Sequence, residues 1–229
     1  MFALSEDEWA VMTLSLEVAT GSLLVNILPA LGFGWLLARK SFWGKSLLET
    51  VIFLPLVLPP VVPGYILLRL FGGQGVFGQA LASVGLELAF NRKGAVLAAA
   101  VIGFPLMVQA VRLAIELVDT NLEAAAKTLG ASAWQAFWQV TLPLSWGGIL
   151  VGAVLAFCRS LGEFGATMTF VGNIAGETRT LPLAMYSLLQ QPDRDAAVMR
   201  LMGMSLIIAF AALWLSQWYS RRQRQRLLN

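Results

Sequence analysis

Residues Thr120–Pro143 read TNLEAAAKTLGASAWQAFWQVTLP. Thr120-Asn121-Leu122-Glu123 fits a capping box, a hydroxyl at the N-cap with a carboxylate three residues on. Glu123 is therefore assigned a capping role, with the helix running through Ala124–Leu129. Gly130 stands where a left-handed residue closes a helix. Ser132-Ala133-Trp134-Gln135 is a second capping box. Trp134, Phe137 and Trp138 then fall on one face, three and four residues apart. That face suits either docking or anchoring at a membrane surface, where Trp is enriched. Leu142-Pro143 opens a long apolar run. Two short, half-polar helices between membrane spans imply a surface on which a soluble partner docks. The chain thus reads as a membrane subunit driven by a separate soluble engine.

Working outward, the 229 residues are 58% hydrophobic and only 13% charged, about half the charged share of a soluble domain. Val18–Ala38, Thr50–Leu68, Gly94–Val111, Thr128–Cys158 and Leu201–Ser220 carry no Asp, Glu, Lys or Arg. A span needs about 20 apolar residues. Thr128–Cys158 exceeds that, so its first part is assigned to the second short helix. The expectation is an all-α integral membrane protein, a single domain over 1–229, with spans near 11–38, 48–71, 94–116, 142–162 and 199–219. Residues 164–197 are too polar for a further span and predict a helix extension, a loop and a short helix over Pro182–Leu189. Glu6, Asp7 and Glu8 precede the first span in place of a basic leader region.

The second span carries Pro55, Pro59, Pro60 and Pro63, followed by Gly64. Each interior proline removes a backbone donor and crowds the preceding turn, at about 3 kcal/mol. A regular helix is excluded. Irregular backbone survives in lipid only when protein covers it or it lines a wet cavity, so the segment is either a broken helix beside a translocation path or a hinged structural helix. Pro59, Pro60 and Pro63 are the candidates there. Arg159 and Glu163, four residues apart, share a helix face and can pair, as a structural salt bridge or as a gate. Thr167 and Thr169 are candidate hydroxyl donors to a passing ion, or satisfy their own helix.

The stretch Ala124–Pro143 resembles the cytoplasmic EAA loop of ABC-importer permeases. Gly130 is followed by nine residues and then Val140-Thr141-Leu142-Pro143, which keeps the family spacing, with Val140 in place of isoleucine. The family glutamate lies six residues before the glycine, where this chain has Ala124; Glu123 lies one earlier. LPLVLPPVVPGY, FPLMVQAVRLAIE, RSLGEFGATMTF and GETRTLPLAMY further resemble permeases of bacterial molybdate importers. The resemblance runs from about Trp9 to Trp218. It implies a homodimer with two cytoplasmic ATPase subunits and a periplasmic molybdate-binding protein. It assigns ATPase coupling to Glu123, Ala124, Ala125, Gly130, Trp134, Leu142 and Pro143. The expected cargo is molybdate, with tungstate second and sulfate as the alternative oxyanion.

Charge placement sets the topology. An outside, periplasmic N-terminus and a cytoplasmic C-terminus put Arg39, Lys40, Lys45, Arg221, Arg222, Arg224 and Arg226 inside, as positive charge prefers, in a bacterial inner membrane. Arg92, Lys93, Arg179 and Arg194 then fall outside. The chain has one cysteine, Cys158, and no histidine, so no Cys/His metal site is expected, and no cofactor. The net charge of +3 is a topology signal and not a nucleic-acid footprint. Gly73–Gly78 matches GxGxxG but follows a span with no βαβ unit around it. Gly34–Ser41 imitates a phosphate loop with Arg39 where a glycine is required. No nucleotide site and no enzyme of its own is expected. A secondary transporter is the remaining alternative, disfavoured by the paired short helices and the lack of clear intramembrane coupling residues.

Overall fold

The computed structural model describes residues 5–228, and the side chains of Arg221, Arg224 and Arg226 lie outside the described residues. The first span, α1, covers Glu6–Arg39. Ser5 and Glu8 cap it reciprocally: the Glu8 N–H donates to Ser5 Oγ at 3.2 Å and the Ser5 N–H to Glu8 Oε2 at 2.9 Å. At 1.5 Å per residue it is about 50 Å long, so it projects beyond the bilayer core.

The proline-rich span is broken. It consists of α2 (Lys45–Val57) and α3 (Val61–Phe71), which meet at 112°. Pro59 and Pro60 occupy the break. Pro63 sits in the first turn of α3, where a missing N–H is not needed. A short α4 (Val76–Ala82) leads to α5 (Arg92–Glu116), capped by the Asn91 side chain.

Next comes α6 (Thr120–Thr128), and then α7 (Ala133–Ala136), a π-helical turn over Phe137–Thr141 and α8 (Leu142–Leu161). These last three form one continuous helical run, Ala133–Leu161, where the sequence predicted a separate short helix. Pro143 explains the π turn. It has no N–H for the carbonyl of Gln139 and its ring crowds that carbonyl, so the turn widens, and the Leu142 N–H reaches back to Phe137 O.

The chain continues as α9 (Gly165–Val171), α10 (Leu181–Leu189) and α11 (Asp195–Leu228). Among the described residues, four helices are long and apolar enough to cross a membrane, five if the bent pair is counted as one broken span.

Small residues let the helices close. On α8, Gly148 and Gly152 stand four apart and face Ala114 and Ala110 of α5, also four apart; a Cβ on Gly148 would lie 2.6 Å from the Ala114 Cβ. Close backbone approach of this kind, with polar side chains bonding across helices, holds bundles together in lipid. Ser22 Oγ and Ser160 Oγ are 2.9 Å apart, Ser160 Oγ donates to Ala99 O at 3.3 Å, and Asn26 Nδ2 donates to Ala100 O at 2.9 Å. So α1, α5 and α8 form one packed unit. The third span, α5, is the most buried of the spans, so little of its surface is left to line anything.

Candidate functional site

Ion pairs define two ends of the bundle. At one end Arg39, Glu49, Arg112 and α6 lie together; Arg112 Nη1 is 2.9 Å from Glu49 Oε1 and ties α2 to α5. At the far end Glu8 pairs with Arg200 at 2.7 Å, and Glu17 lies 3.5 Å from Arg92.

The α6 end contains the predicted loop. Gly130 has φ +92°, and the turn is a Schellman closure: the Gly130 N–H donates to Lys127 O and the Ala131 N–H to Ala126 O, both at 3.0 Å. The Ser132–Gln135 capping box is formed. Trp134, Phe137 and Trp138 cluster with centroids 5.4–6.2 Å apart, and Trp35 of α1 meets Phe137 edge-on at 6.3 Å. Ala124, Ala125, Trp134 and Pro143 are exposed and Leu142 is half-buried. Leu129 is 89% exposed and Trp134 68%, so the loop offers an apolar, uncovered outer surface.

The expected capping role of Glu123 is corrected. Asp119 is the N-cap, accepting from the Asn121 N–H at 2.9 Å. Glu123 turns inward. Its Oε1 accepts from Arg39 Nε at 2.9 Å, Arg39 Nη2 at 2.8 Å and Thr141 Oγ1 at 2.8 Å. A charge-assisted, forked bond to a guanidinium is stronger than a neutral cap, and Asp119 was already in place to cap. Arg39 Nη2 also donates to Val118 O at 2.8 Å. No local pattern marks this partner, which lies 84 positions away.

The second predicted region is an interlock. A Cβ on Gly64 of α3 would fall 2.6 Å from Ala166 O and 2.8 Å from Ala166 Cα. A Cβ on Gly165 would meet the Pro60 Cβ at 2.6 Å. Thus the proline-rich break and the SLGEFGA stretch, distant in sequence, fit backbone to backbone. Pro63 is buried at this contact, while Pro59, Pro60, Val61, Val62 and Tyr65 are exposed beside it.

Arg159 and Glu163 pair at 2.7 Å, but α8 ends at Leu161, so Glu163 lies beyond the shared face expected of it. It is 2% exposed, and its Oε1 accepts from the Ala166 N–H at 2.8 Å. It therefore joins α8 to α9 while neutralising Arg159. Thr169 donates to Gly165 O at 2.8 Å and satisfies its own helix; Thr167 is buried. Replacing Glu163 by Ala should strip Arg159 of its partner. The loss expected is about 3 kcal/mol, at the low end for a broken buried pair because Arg159 is partly exposed and can turn away. Thermal unfolding in detergent measures it, and an unchanged midpoint would leave the pair without structural weight.

Sequence reading missed the far-end cavity of about 470 Å³, lined by Asp7, Glu8, Arg92, Arg179, Arg194 and Arg200 among others. The alternating acids and bases come from segments far apart in sequence.

The family model for the binding-protein-dependent transport system inner membrane component matches residues 30–225. The chain belongs to this family. It is a permease subunit of the ABC importers. It is 53% identical over 221 residues to the molybdenum transport system permease protein ModB of Haemophilus influenzae, covering 96% of each chain. A sulfate transport system permease protein of Synechococcus elongatus is 40% identical over 197 residues, 85% of this chain and 69% of that one. Among solved structures, a bacterial ABC transporter involved in alginate import superposes with a TM-score of 0.75 at 19% identity, over 96% of this chain and 80% of that one. The last comparison carries the fold; the first two carry the family.

Proposed function

We propose that this permease carries molybdate, with tungstate as a second cargo, inward across the bacterial inner membrane. The observation that carries the reading is the 53% identity over nearly the whole chain to a molybdenum transport permease. The lower identity and shorter coverage of the sulfate permease make sulfate the second reading.

In this reading the α6 end is cytoplasmic and the far end periplasmic. Arg39, Lys40 and Lys45 lie at the α6 end, as the positive-inside tendency requires. The N-terminus is then periplasmic and the C-terminus cytoplasmic. Two ATPase subunits, one per permease copy, dock on the outer surface of residues 120–143, and hydrolysis takes place in them. The mixed-charge far-end cavity supports docking of a periplasmic molybdate-binding protein.

The permease works as a homodimer, since closed two-fold symmetry is the commonest solution. Pro59, Pro60, Val61, Val62 and Tyr65 are all exposed around the break. This apolar strip around the break supports a path between two copies. Pro63, Thr167 and Thr169 shape the strip from behind and Arg159 and Glu163 brace it; none forms a fixed ion cage. A weakly binding path suits transport, because an ion held tightly would not leave.

The test is uptake of labelled molybdate into proteoliposomes that hold this chain, its ATPase and its binding protein, with ATP on the ATPase side. ATP-dependent molybdate accumulation, reduced by excess tungstate and little affected by sulfate, is expected. Uptake of sulfate but not molybdate would replace the cargo and leave the importer architecture in place.

A further inference from the structure

The coupling helix α6 has no buried residue. It therefore has little packing by which to push or pull the spans. Among the described residues, every side-chain hydrogen bond that leaves α6 for another element passes through Glu123. Those bonds reach Arg39 at the end of α1 and Thr141 in the π turn that opens α8. Arg39 in turn holds Val118 O, just past the end of α5. One guanidinium thus joins α6 to α1 and α5, and one carboxylate oxygen adds α8. The joined spans are the three that the small-residue contacts and the Ser22–Ser160 bond already lock together.

We infer that Arg39 is the positioning residue that couples movement of α6 to the span unit α1–α5–α8, through the Arg39–Glu123–Thr141 clasp. The inference rests on the reading of residues 120–143 as the ATPase-docking element. Guanidinium geometry matters because the planar fork makes two bonds to Glu123 while a third reaches Val118 O. A lysine keeps the charge but cannot hold all three at once. The bent pair α2–α3 contributes no hydrogen bond to the clasp.

The test uses the reconstituted complex with its ATPase and binding protein, and reads ATPase capture, ATP hydrolysed and molybdate taken up. Arg39→Met keeps the length and removes the fork. The expected result is a complex that still captures the ATPase, with at least a tenfold fall in molybdate taken up per ATP. Arg39→Lys should restore part of that ratio, and Thr141→Val should lower it a few-fold. Arg39→Met combined with Glu123→Gln should be no worse than Arg39→Met alone, because both break the same link. An unchanged ratio in Arg39→Met overturns the inference. So does loss of ATPase capture in step with transport, which would make Arg39 part of the docking surface or of folding. A Gly130→Trp arm in the same assay reports on the docking reading: normal capture and uptake there would remove that reading by itself, whatever Arg39 shows.

Discussion

Gly130→Trp is expected to leave the permease in the membrane and reduce ATP-driven uptake to background. Two features combine at this position. The backbone is left-handed, at φ +92°, which costs a residue with a Cβ about 1–2 kcal/mol. The space around it is empty, since a Cβ there meets nothing within 4 Å. A bulky side chain is therefore tolerated by the permease itself and projects into the surface proposed for the ATPase. Gly130→Ala separates the two effects, because it carries the strain without the bulk, and should keep most of the uptake. Membrane content, ATPase capture and uptake are the three readouts. Full uptake by the Trp variant would show that residues 120–143 do not carry the coupling.

Gly64→Val is expected to fail in the opposite way, by losing the fold. The added atoms would collide with Ala166 O and Cα, and with Thr169 Cβ at 2.9 Å. Two of these are backbone atoms that cannot swing aside. Overpacking a core costs about 1–3 kcal/mol, and the rigidity of these neighbours places Gly64 at the upper end. Gly32→Ala is the control, because a Cβ at Gly32 meets nothing within 4 Å. The thermal midpoint in detergent should fall sharply for Gly64→Val and hold for Gly32→Ala. A wild-type midpoint for the Val variant would remove the interlock between α3 and α9.

The features legible in the sequence were those fixed by neighbours along the chain. Charge-free runs marked the spans, proline density marked the break, Gly130 marked a helix end, and Ser132 with Gln135 marked a helix start. What stayed hidden depends on partners far away. Glu123 met the pattern of a capping box, yet Asp119 took the cap and Arg39 took the carboxylate. Glu163 was paired correctly but expected on a shared helix face, whereas α8 stops at Leu161 with Gly162 as its C-cap, so the carboxylate reaches Arg159 from beyond the helix. Gly148 and Gly152 were unremarkable in an apolar run until Ala114 and Ala110 were seen against them. The break between α2 and α3 was expected from the prolines, but nothing along the chain fixes its angle of 112°.

The π turn at Phe137–Thr141 sets the phase between Trp134 and the fourth span. Each residue of an α-helix turns the chain by about 100°. Deleting one residue in this turn would rotate Trp134 to another side of α8. A change of side chain here alters a contact, whereas a change of length reorients the whole outer face. The count of residues from Gly130 to Pro143 therefore acts as the aiming device of the loop, and single-residue insertions or deletions there are the changes it can least absorb.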